Sequence, residues 1–361
     1  MAHLAKGASS SAASPLLEIW TPYAGLLVNP DAGSLKFTIF DVSTEDLECD
    51  PAVVISLTTV DLSAHRIGAD VGHFAAVFTL PSDASEGAHE IEWTWTYKGT
   101  TFTYRQKFDV LPAVPKRLEH PGYCLVSDLR GHGFDATTIS NLRALKLIAE
   151  QSAYVDRVCE RIFYPRMMDL RLDGSGSRVL VLDQPIIALS SMLIGEDILY
   201  LEQTAVRDVV IYNRHLSGML DPDDRHAPRL ELPDPFPLPD DYFFHGLSGG
   251  FPLRFAFARN SQNVRVRGLF GYTDPDGSPI GRTPSDIRKV TMLLAARNMA
   301  LLSNPEDDFD AKFKNRVTQM VTRDQQISFS DKGLGEGAFT SDIEIDRLLE
   351  LYRRPLRIFS A

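Results

Sequence analysis

Few residues in the sequence are suited to chemistry, and spacing tests each of them. "GLSGG" at 246–250 has the G-x-S-x-G spacing that exposes a serine nucleophile, here Ser248, on a sharp strand-to-helix turn. "FPLRFAFA" follows it, with Pro252 and alternating aromatics where that turn requires a helix. No histidine lies beyond His245 to complete the order serine, acid, histidine, so a glycine loop is the better reading. In "NVRVRGLFGYTDPDGSP", Asp274 and Asp276 offer carboxylates for a calcium loop. Such a loop started at Asp274 needs glycine sixth and a carboxylate twelfth, where Pro279 and Ser285 stand. Asp274-Pro275 and Asp276-Gly277 are instead turn dipeptides.

The remaining candidates are weaker. "DGSGS" and "GLGEG" lack the lysine of a phosphate loop, and His215 and His226 flank a proline-rich stretch rather than sharing a helical face. Cys49, Cys124 and Cys159 are far apart and odd in number, which suits reduced, buried thiols. Trp93 and Trp95 share a strand face; facing inward they build a core, facing outward they could stack on a sugar or a partner. The expectation is therefore no catalytic set, no metal and no cofactor.

The whole chain bounds what such residues could serve. Its 361 residues, 44% hydrophobic and 24% charged, suit two or three globular domains. No apolar run approaches the ~18 residues of a spanning helix, so no membrane is expected. "MAHLAKGASSSAAS" has too short an apolar run for a secretory signal and reads as a disordered arm over 1–14. The net charge is −11, and residues 15–112 hold 14 acidic against 5 basic residues. Tight nucleic-acid binding needs a basic excess, which is missing; a wall past which DNA slides does not.

Residues 15–112 alternate short β-rich runs with turn signals. Leu35, Phe37 and Ile39 fall on one strand face, Lys36 and Thr38 on the other, which predicts an all-β immunoglobulin-like sandwich. Pro112, Pro115 and Pro121 make 113–122 a stiff linker. An α+β region, 123–361, follows. It holds a short helix capped by Ser127 and a long helix over 137–163 striped by Ile139, Leu142, Leu145, Ile148, Val155, Val158 and Ile162. Next come a hairpin turning at 173–176 and an exposed insertion over 217–250, whose acidic part could line an opening or be solvated. A helix capped by Thr283 with Pro284 in its first position comes next, and a helix and tail over 341–361 opens on a Ser341/Glu344 capping box.

In order, "GYCLVSDLR", "VDRVCERIFYPR", "LRLDGSGSRVLVLDQPIIALSSMLI", "NVRVRGLFGYTD" with "TPSDIRKVTMLLAAR", and "IDRLLELYRRP" resemble the head-tail connector (adaptor) proteins of tailed bacteriophages. The resemblance implies a mainly helical adaptor domain with β-hairpins. It also implies a structural virion protein of the neck, assembled in the host cytoplasm as a homo-oligomeric ring, commonly a dodecamer. Such a ring docks beneath the portal protein, meets a tail terminator or stopper protein, and continues the channel through which double-stranded DNA is packaged and ejected without specific binding. It would place portal contacts on Arg353, Arg354, Leu356, Arg357, Ile358 and Phe359, and ring contacts on the helices at 137–163 and 284–302. Gly268, Gly271, Tyr272 and Gly277 become a hinge that holds the second of those helices. The sandwich is no part of the family's minimal core, and a receptor- or carbohydrate-binding protein led by it is the alternative.

Overall fold

A computed structural model describes residues 2–43, 51–68, 70–114, 120–134, 139–195, 197–201, 204–205, 209–212, 224–232, 257, 259–303, 319–321, 326–328, 339–340 and 342–354. The chain is α+β, with strand exceeding helix by 37% to 21%.

The first part is built of strands: β1 (Ala2–Ala5), β2 (Ser9–Ser10), β3 (Glu18–Trp20), β4 (Pro22–Tyr23), β5 (Leu26–Leu27), β6 (Lys36–Asp41), β7 (Ala52–Thr59), β8 (His73–Ala75), β9 (Phe78–Thr79), β10 (Gly87–Tyr97) and β11 (Thr100–Leu111). Five form one sheet in the order β1-β11-β10-β6-β7, antiparallel except where β1 runs parallel to β11. Lys98 and Gly99, both at positive φ, close the β10–β11 hairpin with the twist that suits its strands. Alternation decides which side chains enter: Phe37, Ile39, Ile91, Trp93 and Trp95 are fully buried. Ile19, Phe74 and Phe78 of the β3–β8 and β2–β9 ribbons complete that core. Both tryptophans are thus core residues.

Contacts are seen at three expected boundaries. The expected disordered arm is ordered: β1 and β2 pair with β11 and β9, and His3 and Leu4 are buried, because the edge of β11 satisfies the arm's backbone groups. The sheet region is not self-contained, since β5 pairs with a strand of the second part and Ile280 lies in its core. The linker's 115–119 lie outside the described residues, but His120 at its end is buried and hydrogen-bonded.

The second part comprises α1 (Val126–Gly131), α2 (Asn141–Cys159), β12 (Arg166–Leu172), β13 (Val179–Val181), β14 (Ile186–Ile194), β15 (Asp197–Leu201), β16 (Thr204–Ala205), β17 (Val210–Tyr212), a 3-10 turn (Asp224–His226), β18 (Arg229–Glu231), β19 (Val264–Phe270), α3 (Ser285–Ser303), β20 (Gln319–Val321), β21 (Gln326–Ser328) and α4 (Ile343–Tyr352). Helix and sheet share this part, so it is not mainly helical. Its larger sheet runs β12-β19-β14-β15-β16, with β5 added beside β14. The expected hairpin at 173–176 does not form, because β12 pairs with β19 while β13 pairs with β18. The expected exposed insertion is partly structural: β18 bridges β13 and β17 and buries Leu230.

Helix ends also differ from expectation. α2 stops at Cys159, where Glu160 turns left-handed at φ 53°, and Leu142 is exposed while Leu145, Ile148 and Val155 are buried. α1 starts one turn-position before Ser127. Its first N–H groups, of Val126 and Ser127, donate at 2.5 and 3.2 Å to Asp109, a carboxylate of β11. Asp342, not Ser341, caps α4, accepting from the Glu344 and Ile345 amides. Thr283 does not cap α3; its hydroxyl donates to the Phe163 carbonyl, and Pro284 precedes the first helical residue, Ser285.

Candidate functional site

The strand-to-helix connection at 271–282 concentrates close backbone packing, beginning with glycine. A Cβ at Gly268 would lie 2.4 Å from the Ala188 carbonyl oxygen of β14, and one at Gly271, whose φ is 153°, 2.5 Å from that of Tyr164. Both positions exclude a side chain because two backbones meet there. Gly277, at φ 86°, faces open space and is needed only for its turn.

Between them the chain folds into a closed spur. Asp274 and Arg282 exchange two backbone hydrogen bonds at 2.7 and 2.9 Å, and the Thr273 hydroxyl donates to the Ile280 carbonyl. Asp276 accepts from the Ser278 amide and hydroxyl, the pattern of a local aspartate turn. The spur ends in Ile280, 3% exposed, which inserts into the core of the first part.

Tyr272 stands at the root of the spur. The guanidinium of Arg225 lies 4.0 Å from its ring centre and that of Arg161 4.8 Å, an arrangement in which cations meet the negative ring face. Its edges meet Phe163 at 5.8 Å and Tyr352 of α4 at 5.6 Å. Arg225 also donates to the Thr273 carbonyl and to Asp274 at 2.7 and 2.8 Å. Asp274 is therefore the partner of a buried arginine. Burial and the nearby Asp274 and Asp286 carboxylates push the Tyr352 phenol well above its ordinary range, so it stays protonated and donates to Asp286. Beside the spur lies a cleft of about 270 Å³ lined by Ile186, Ile187, Ile211, Pro275 and Pro279.

The two predicted sites, hinge and C-terminal segment, thus share one cluster. Arg353 lies 5.2 Å from the Phe339 ring centre; Arg354 pairs with Asp183 and donates its amide to the Cys159 carbonyl at the end of α2. Leu356, Arg357, Ile358 and Phe359 lie outside the described residues, as do Ser248 and His215.

Another constellation is more reminiscent of catalysis, and spacing alone did not reveal it. His120 and Tyr123 both bond to Asp156, His120 at 3.1 Å. The His120 Nδ1 accepts from the Gly122 amide at 3.0 Å, which leaves Nε2 as the donor to Asp156 and no ring nitrogen to act as a base. Tyr123 in turn accepts from the Phe163 amide, so the network ties the linker end to α2. Burial raises the Cys124 thiol far above its ordinary range and that of Cys159 to about 12, so neither is a thiolate. Among the described residues no group of three His, Cys, Asp or Glu side chains could hold a metal, and no helix is long and apolar enough to cross a membrane.

No model of a known protein family matches this chain, and no curated protein matches it.

Proposed function

We propose that this chain is a structural virion protein, a head-tail connector that forms a homomeric ring beneath the portal and continues the DNA channel toward the tail. One observation carries the reading. The stretches that resemble connector proteins, scattered over some 240 residues, converge on one aromatic cluster. Tyr123 meets Phe163 at 5.7 Å, Phe163 meets Tyr272 and Tyr352 at 5.8 Å each, and Tyr272 meets Tyr352. The third stretch joins through Gln184, which accepts from the Ile162 amide and donates to the Glu160 carbonyl.

In this reading α2 and α3 supply ring contacts, and the segment from Arg353 to Phe359 reaches the portal, with Arg354 anchored on Asp183 so that the following residues leave from a fixed point. The strands of 15–112 form an immunoglobulin-like decoration. Trp93 and Trp95 give the carbohydrate-binding alternative no stacking platform, since both are in the core.

The test is co-purification of the portal protein with the full chain and with a variant ending at Pro355. The account expects the portal to be retained by the first and lost by the second. Equal retention would remove the tail from the portal contact.

A further inference from the structure

The outer face of the β12–β19 pair carries an arrangement that the fold itself does not need. In their antiparallel register Arg171 stands directly opposite Arg265, and Asp169 opposite Arg267. Like charges directly opposite one another on a sheet are destabilising. Part of that charge is offset: Arg265 binds Asp169 through Nε and Nη2, and Arg267 binds Asp70 from the first part. Asp169 is held below the ordinary carboxylate range, first by its bonds from Arg265. Arg171 is exposed and makes no ion pair among the described residues, and the same holds for Arg259, which lies against Gly176 of the adjoining 173–177 loop.

Among the described residues, the face is open at this end. Toward the other end Met167 and Leu269 are covered by Trp20 and Leu27, and the cover stops at the Asp70–Arg267 pair. What remains bare is a row of arginines, two of them half-neutralised, on a rigid three-strand floor of β12, β19 and β14. Arg265 and Arg267 share that face at about 6.8 Å spacing along the strand. Guanidinium groups match phosphate oxygens in a two-pronged geometry and remain charged at any working pH.

We propose that this face is the DNA-facing surface of the chain: Arg171, Arg259 and Arg265 touch backbone phosphates of passing duplex DNA. Asp169 and Asp70 keep the contact weak enough to slide. The inference rests on the connector reading, because only a duplex held in a channel makes so weak a surface useful. The net charge of −11 opposes tight binding of DNA by the chain as a whole, which suits a weak, local contact.

The test measures binding of the full chain to a fluorescent 30-base-pair duplex of arbitrary sequence across salt concentrations. Three phosphate contacts predict about a 40-fold loss of affinity between 50 and 200 mM salt, and Arg171→Glu or Arg259→Glu should each flatten that slope by about one contact. Asp169→Asn should tighten binding several-fold, a gain that unfolding cannot imitate. No duplex binding at 20 mM salt, or binding indifferent to all three substitutions, overturns the proposal. Equal, equally salt-sensitive binding of poly-glutamate would assign the face to an acidic protein instead and also overturn it. Neither result touches the ring itself, which is decided by copy number in the particle.

Discussion

At the scale of single residues, glycines and a buried arginine do more than the residues whose types suggested catalysis. Gly268→Ala forces a Cβ against the β14 backbone, whereas Gly277→Ala meets only an unfavourable φ. Urea unfolding should therefore show a loss of several kcal/mol for the first, as expected of overpacking against backbone, and about 1 kcal/mol for the second. Arg225→Met would leave the Asp274 carboxylate and Thr273 carbonyl without their donor and should cost about 3 kcal/mol, the range for breaking a mostly buried pair. If that variant unfolded like the wild type, the cation-flanked Tyr272 would not hold the spur. Sequence spacing read Asp274 as a turn residue, but no spacing rule could name its arginine partner, which lies 49 residues away.

At the scale of elements, periodicity located strands and helices, while tertiary contacts set their ends. Alternation in "SLKFTIF" and "HEIEWTWTY" put Phe37 with Ile39, and Trp93 with Trp95, on shared strand faces, and in the fold those faces are the buried ones. The caps were misplaced because local candidates, Ser127 and Thr283, were already otherwise engaged or not needed. Asp109 caps α1 from 17 residues away, and no local pattern encodes that. Burial alone would raise the Asp109 pKa, yet bonds from His3 and from Ser127 bring it below the ordinary carboxylate value. A carboxylate depressed in the folded state adds stability above its unfolded pKa and loses it as pH falls through the folded one. Wild-type protein should thus lose stability below about pH 4, and Asp109→Asn should shrink that acid step while lowering stability at pH 7. Thermal melts across pH would show it, and an unchanged acid profile in the variant would refute this role. Asp342→Ala should cost about 1 kcal/mol through loss of the α4 cap.

At the scale of the molecule, several contacts cross between the two expected domains. β1 lies on β11, β5 lies beside β14, Asp70 pairs with Arg267, and Ile280 enters the first core. Calorimetry should accordingly give one cooperative transition, and Ile280→Ala should lower it as a whole by about 2–5 kcal/mol of stability. Two separable transitions would mean that the sheet region is an independent module after all. The sequence suggested separate parts because a proline-rich stretch divides them; it could not show that distant strands cross that division, since a single β5–β14 pairing leaves no periodic trace. The resemblance to connector proteins was carried by stretches that the fold then gathers around Phe163, Tyr272 and Tyr352. The most direct measurement is a reconstruction of the head-tail junction of a particle assembled with this chain. The account predicts a closed ring of copies directly below the portal, with α2 and α3 at the contacts between neighbours, residues 355–361 against the portal and the β12–β19 face toward the channel. Absence of the chain from the junction, or its presence only as separate copies on the particle's outside, would contradict it.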